Sequence, residues 1–230
     1  MLETLKEEVF KANIDLVRHG LVIHTWGNVS GKDQESGLIV IKPSGVSYES
    51  MQPDDMVVID IDGKVVEGKF RPSTDAPTHL VLYKAFGNVG GIVHTHSSHA
   101  TAWAQSERAI PALGTTHADH YNGEVPCTRI LNDIEIENDY EANTGHIIVE
   151  ALNGMDPLTV PSVLVSGHGP FCWGKNAADA VYNAVALEEI ARMAFMTVLL
   201  GNEKTVNKTL LDKHFKRKHG SGAYYGQGNL

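Results

Sequence analysis

Apolar positions at Leu2, Leu5, Val9, Ile14, Leu16 and Val17 form an approximate helical stripe that ends before Gly20, so the chain is predicted to open with a helix stopped by a glycine. The period then changes. Residues 21–32 (LVIHTWGNVSGK) predict a strand running into a glycine-bearing turn, GLIVIKPSG a second strand, and MVVIDIDGKVVEG a hairpin turning at Asp62-Gly63. A Ser/Thr/Asp cluster followed by Pro77 predicts a helix over residues 75–86. GGIVHTH reads as a strand and SSHATAWAQ as the short helix after it. Residues 109–150 are predicted to mix strands and loops with one helix, EANTGHIIVEAL. PSVLVSGHGPFCWGK gives two strands joined at Gly167–Pro170. The longest helix is expected over Asn176–Leu200, capped by Asn176 and stopped at Gly201. A last amphipathic helix near Val206–Lys218 leads into the tail SGAYYGQGNL.

Hairpin-like pairs interleaved with helices predict an α/β fold with a central, mainly antiparallel sheet flanked by helices. No repeat, low-complexity tract or linker divides the chain, so residues 1–230 are expected to form one domain. With 230 residues, 42% of them apolar, a sizeable core is available. The formal net charge of −9 argues against a nucleic-acid partner, but not against a phosphorylated small molecule, because local donors can outweigh global charge. Cys127 and Cys172 lie outside any Cys-x-x-Cys pairing and are expected to be free thiols in a reducing cytoplasm. No stretch is apolar enough to span a membrane, and MLETLKEEVFKA reads as a charged helix rather than a signal peptide.

Three histidines and an aspartate carry most of the chemical information. His94 and His96 are two apart in a β-like run, where residues i and i+2 share a face. A lone His-x-His is ordinarily strand structure with one core imidazole. Here His168 stands between two glycines at a strand turn, where a ligand can approach closely, and Asp75 sits at a helix start beside other capping candidates. A third imidazole at another strand end would complete a zinc-type set that keeps a position open for substrate. His24, His79, His99 and His146 are read as structural or solvent-facing.

Three turns offer amides and hydroxyls for an anion: Gly27-Asn28-Val29-Ser30, Pro43-Ser44-Gly45 and Arg71-Pro72-Ser73-Thr74. Ser73 and Thr74 precede a helix, whose N-terminal N–H groups and dipole favour negative charge, and Lys42 adds a cation. None matches a nucleotide phosphate loop, and each taken singly reads as an ordinary turn or cap. Asp119, in THADH, is a candidate general acid/base set against the reading of a loop carboxylate. Tyr225 in the tail and His214 on a basic helix carry no signal of their own.

Taken in order, GNVSGKD, KPSGVSY, RPSTDAPTH, HTHSSHA, THADHY, GHGPFCWG and DKHFKRKHG…AYYGQ closely resemble the epimerase branch of the class II aldolase/epimerase superfamily, from about residue 8 to residue 227. The resemblance implies a class II aldolase-like domain assembled as a C4 homotetramer with sites between subunits, the tail 219–230 completing a neighbour's site. It implies one Zn2+ per subunit on His94, His96 and His168, with Asp75 as a further ligand. Gly27, Asn28, Lys42, Ser44, Gly45, Ser73 and Thr74 would hold the substrate phosphate. Asp119 and Tyr225 match the catalytic acid/bases, Tyr225 from a neighbouring subunit, and His214 a histidine on the same face. The implied reaction inverts C4 of a pentulose 5-phosphate by retro-aldol cleavage of C3–C4, aldehyde rotation and re-addition. Two relatives within the superfamily set the alternatives. A sugar-phosphate aldolase has glutamate as its base where Asp75 stands here. A non-catalytic adducin-like head should have lost the metal set.

Overall fold

The computed structural model describes residues 2–220 and 222–226. Among these residues seven strands form a single sheet: β1 (Gly27–Lys32), β2 (Ile39–Ile41), β3 (Val57–Ile59), β4 (Val65–Glu67), β5 (Gly91–Thr95), β6 (Ser162–Val165) and β7 (Gly169–Gly174). The helices are α1 (Glu3–Arg18), α2 (Ala76–Ala85), α3 (Ser98–Gln105), α4 (Thr115–Ala118), α5 (Asp133–Glu137), α6 (Tyr140–Ala151), α7 (Ala177–Leu199) and α8 (Lys208–Lys218). The sheet order is β4-β3-β2-β1-β5-β7-β6, and every pairing is antiparallel. The predicted antiparallel α/β architecture is therefore the observed one.

Helices cover both faces, which is why β2, β3 and β5 are buried at every position rather than alternately. The two layers can be assigned from adjacent residues of β1. Gly31 backs onto Val9 and Leu5 of α1, where a Cβ would lie 2.8 Å from Val9. Ser30 faces the other way and meets His79 Nδ1 at 2.7 Å and the Tyr83 hydroxyl at 2.8 Å, both on α2. With α1 lie α7 and α3; with α2 lies α6.

Three of the eight helices, α5, α7 and α8, start on an asparagine side-chain cap. Asn176 accepts from Asp179 N at 2.8 Å to start α7, and Asn207 accepts from Leu210 N at 2.9 Å to start α8. Helix α3 is started from a distance. Its own Ser97 makes no side-chain cap, and the Glu188 carboxylate of α7 accepts from His99 N at 2.9 Å and Ala100 N at 3.0 Å instead.

Two expectations are corrected. Residues 21–26 are not strand; β1 begins at Gly27, where the sequence reading placed a turn, because Leu21 and Val22 pack against the core as loop while GNVSGK pairs with β5. Residues 109–150 contain no strand, only isolated bridges of Ile110 with Val125 and Cys127 with Leu164, and three helices rather than one. Cys127 and Cys172 are free thiols. Among the described residues no helix is long and apolar enough to cross a membrane.

Candidate active site

Strand pairing assembles the site. His94 lies opposite Asn28 of β1 on one side and Phe171 of β7 on the other, so all three side chains share the α2 face. The His94 ring stacks on Phe171 at 4.3 Å and 18°. His96 stands one residue past the end of β5, exposed. His168 enters from the turn between β6 and β7. Gly167 there has φ +71, and a Cβ on Gly169 would meet the Thr95 carbonyl at 2.8 Å, so only glycines let this turn carry His168 against the end of β5. The three imidazoles offer ring nitrogens all within 4.8 Å of one another. His94 Nε2 and His96 Nε2 are 3.1 Å apart.

These are neutral rings with lone pairs to give. Burial holds His94 down to about 3, and burial is also the main cause lowering His96 and His168. His94 Nδ1 donates to the Pro170 carbonyl at 3.0 Å, which leaves Nε2 as the free acceptor. Tyr140, at the start of α6, brings its hydroxyl within 3.3 Å of His168 Nδ1. A divalent cation fits this donor set.

Asp75 occupies the N-cap position of α2 but makes no cap with its side chain. Instead Asn28 Nδ2 donates to its Oδ2 at 2.6 Å. Burial pushes this carboxyl up, but the His94 and His79 imidazoles and the Asn28 hydrogen bond outweigh it and leave it below the ordinary range. The carboxylate therefore stands ionised beside the histidines. Asn28 Oδ1 is buried without a protein partner.

The anion-binding candidates form a cradle on the same cavity. Ser73 N donates to the Lys42 carbonyl at 2.9 Å and Ser44 N to the Arg71 carbonyl at 3.0 Å, lacing the two loops together. The Lys42 ammonium is buried under them: it donates to the Val46 carbonyl at 2.9 Å and lies 4.8 Å from the Tyr48 ring centre. Burial lowers Lys42 to about 8, so it is charged at neutral pH but only weakly hydrated. The Tyr48 hydroxyl donates to the Gly27 carbonyl at 2.8 Å and ties this cradle to β1.

One cavity of about 550 Å³ is lined by Gly27, Asn28, Lys42, Ser44, Gly45, Ser73, Thr74, Asp75, His94, His96 and His168. It brings together every residue read from the sequence as a phosphate or metal contact. Thr25 and Trp26 also line it and were missed. Trp26 is 54% exposed with its ring 6.4 Å from that of His96, and a large aromatic next to the GNVS turn was the available signal. Tyr140 gave no signal, since nothing local ties the start of α6 to His168.

The three predicted proton-transfer residues lie elsewhere. Asp119 ends α4, and its carboxylate accepts from Arg217 Nε at 2.9 Å, Arg217 Nη2 at 2.5 Å and His214 Nδ1 at 3.0 Å. Burial pushes the Asp119 carboxyl up, but the Arg217 and His214 hydrogen bonds outweigh it and hold it low. Tyr225 is 63% exposed over Arg217 and Lys218. None of Asp119, His214 and Tyr225 lines the histidine cavity of its own chain. Of the predicted tail, Ser221 and residues 227–230 lie outside the described residues.

The fold and the histidine cavity define a class II aldolase-type protein, and residues 7–195 match the family described as "Class II Aldolase and Adducin N-terminal domain". The chain belongs to this family. It is 58% identical over 227 residues to the L-ribulose-5-phosphate 4-epimerase UlaF of Salmonella paratyphi B (strain ATCC BAA-1250 / SPB7), covering 98% of this chain and 100% of the relative. The protein of the same name from Salmonella paratyphi C (strain RKS4594) is 57% identical over the same span. Among solved structures, an L-fuculose 1-phosphate aldolase superposes with a TM-score of 0.79 at 25% identity, covering 92% of this chain and 94% of that one. The L-fuculose 1-phosphate aldolase from Glaciozyma antarctica PI12, at 19% identity, TM-score 0.78 and coverage of 96% and 84%, shares the fold.

Proposed function

We propose that this chain is a zinc-dependent epimerase that interconverts L-ribulose 5-phosphate and D-xylulose 5-phosphate. The observation that carries the reading is the single cavity in which three neutral imidazoles face a laced anion cradle built around a buried lysine. The activity named for the relatives, at 58% identity across the chain, is the chemistry that this cavity suits.

Direct removal of the C4 proton is unfavourable because C4 is not adjacent to the C2 carbonyl. Breaking C3–C4 is easier: the C4 hydroxyl loses its proton, C4 becomes an aldehyde, and the bonding pair moves into the enediolate of dihydroxyacetone. The other fragment is glycolaldehyde phosphate. A zinc ion on His94, His96 and His168, with Asp75 as a further ligand, would supply Lewis-acid stabilisation of the charge that develops on O2 and O3. Lys42, the Ser44-Gly45 amides and the Ser73-Thr74 helix start would grip the phosphate, so the aldehyde stays tethered while it turns its other face. Re-addition then gives the opposite configuration at C4. Each face needs its own group to take or give the C4 oxygen proton, the roles of Asp119 and Tyr225, with His214 beside Asp119.

Since those three residues stand away from the histidine cavity of their own chain, they would serve the cavity of a neighbouring copy, the tail 219–230 completing it in a C4 homotetramer. The test is a coupled assay for D-xylulose 5-phosphate formed from L-ribulose 5-phosphate, with and without a chelator. The expected result is product that disappears on chelation and returns with zinc. Absence of product from folded, zinc-loaded protein, with dihydroxyacetone released instead, would replace the reading by an aldolase.

A further inference from the structure

The sequence analysis gives Arg217 no role beyond its place on the basic helix that carries His214. Its contacts are unlike those of a surface cation. One edge of its guanidinium donates to both oxygens of Asp119, from Nε at 2.9 Å and Nη2 at 2.5 Å. The same guanidinium lies over the Tyr225 ring, 5.3 Å from its centre. Its backbone carbonyl accepts from Tyr224 N at 2.9 Å and Tyr225 N at 3.0 Å, which fixes the start of the tail. One residue thus touches both groups assigned to move the C4 oxygen proton.

We infer that Arg217 is a positioning residue that holds Asp119 and Tyr225 at a set separation and orientation, so that the neighbouring subunit receives them as one acid/base unit. The inference rests on the assignment of Asp119 and Tyr225 made above.

Charge alone does not explain the arrangement. Lys218 Nζ is already 3.7 Å from Asp119 Oδ2 and 4.5 Å from the Tyr225 ring centre, and His214 donates to the same carboxylate at 3.0 Å. What Arg217 adds is geometry: a planar fork presents two parallel donors at its edge and a flat cationic face to an aromatic ring at the same time. The Lys218 ammonium stands near both groups but is a point charge, with neither a two-donor fork nor a flat face. Nor is Arg217 needed to keep α8 docked. Phe215 is buried from the same helix and stacks on His219 at 4.4 Å, and His219 Nε2 donates to the Asp119 carbonyl at 3.0 Å.

The experiment compares Arg217→Ala, Arg217→Lys, Asp119→Asn and the Arg217→Ala/Asp119→Asn double variant in the full-length, zinc-loaded protein. Arg217→Ala should lower kcat by at least about tenfold with KM within about twofold, since the phosphate and metal contacts are untouched. Guanidinium ion on the order of tens of millimolar, below denaturing levels, should restore part of that kcat. Arg217→Lys should stay low despite its charge. The double variant should be no slower than Asp119→Asn, because both changes disable one unit. Wild-type kcat in Arg217→Ala alongside an inactive Asp119→Asn overturns the inference and leaves the acid/base assignment standing. So does a loss of kcat that tracks a lowered Tm and is not recovered by guanidinium, which marks a purely structural residue. Full turnover in both Asp119→Asn and Tyr225→Phe overturns the assignment itself, and this inference with it.

Discussion

His94 and Pro170 are joined by a single hydrogen bond, the ring Nδ1 donating to the carbonyl oxygen at 3.0 Å, and that bond decides which nitrogen of His94 faces His96. A carbonyl can only accept, so the proton must sit on Nδ1, and Nε2 is left with its lone pair turned toward the other imidazoles. Burial reinforces this by holding the ring neutral, down to about 3. Replacing His94 by alanine removes one of three ring donors. His94→Ala should purify folded, with an unchanged circular dichroism spectrum, and without stoichiometric metal by elemental analysis. Retained metal at one per chain would take His94 out of the ligand set.

The separation of Asp119 from the histidine cavity makes a prediction about assembly. His94→Ala and Asp119→Asn should each lower turnover by about two to four orders of magnitude on their own. Refolded together in equal amounts they should recover about one quarter of wild-type activity, because half of the sites draw an intact metal set and half of those an intact neighbour. Mixing that recovers nothing would place Asp119 and the histidines in service of the same chain's site.

Acid should destabilise the metal-free protein through histidines outside the metal set. His79 is buried against Ser30, and burial holds it down to about 4 against the raising effect of Asp75. Burial likewise holds His117 at about 4, although its Nε2 donates to the Gly123 carbonyl at 2.6 Å. In the unfolded chain both protonate near pH 6.5. The unfolded state therefore binds more protons between about pH 6.5 and 4, and stability rises with pH across that window. Each group contributes a slope of up to about 1.4 kcal/mol per pH unit, lost as pH falls toward 4. The urea midpoint should accordingly drop between pH 6.5 and 4.5; a flat midpoint would mean that neither ring is kept neutral.

Gly145 lies within α6, where alanine would ordinarily gain up to about 1 kcal/mol in helix propensity. Here a Cβ would come 2.7 Å from Val81 Cβ and 3.1 Å from the Thr78 carbonyl of α2. The neighbour is a branched side chain at its root, not a flexible tip, so the helices must separate. Gly145→Ala should lower stability by about 1–3 kcal/mol net in chemical denaturation. A stabilised variant would show that α2 and α6 have room to part.

Local features were legible because they depend on neighbours in sequence. The stripe from Leu2 to Val17, the cap at Asn176 and the glycine-flanked His168 each appear where the sequence places them. Residues 21–32 failed for a physical reason: Leu21 is buried and Val22 half-buried as loop, Ile23 is exposed, and the polar GNVSGK forms β1 between two other strands. Residues 109–150 failed similarly, since Ile110 and Val125 are buried through an isolated bridge rather than a strand, and the apolar Ile134 and Ile136 lie exposed on α5. The site was recovered to the extent that its residues sit in motifs. Trp26 and Tyr140 sit in none, and what ties them to the site is contact with His96 and His168.

The sequence by itself determined the longer helices α1, α2, α6, α7 and α8, the antiparallel α/β class, and the residue types able to hold a metal and a phosphate, because periodicity, caps and turn chemistry act over a few residues. Only the tertiary structure decided that β1 lies beside β5 and so sets Asn28 opposite His94, that Asn28 rather than a cap occupies Asp75, and that Asp119, His214 and Tyr225 gather around Arg217 away from the histidines. Alternation along a strand fixes which side chains share a face but not which strand comes next to it. That choice depends on burying both faces of the whole sheet at once, and no local stretch of the chain carries it.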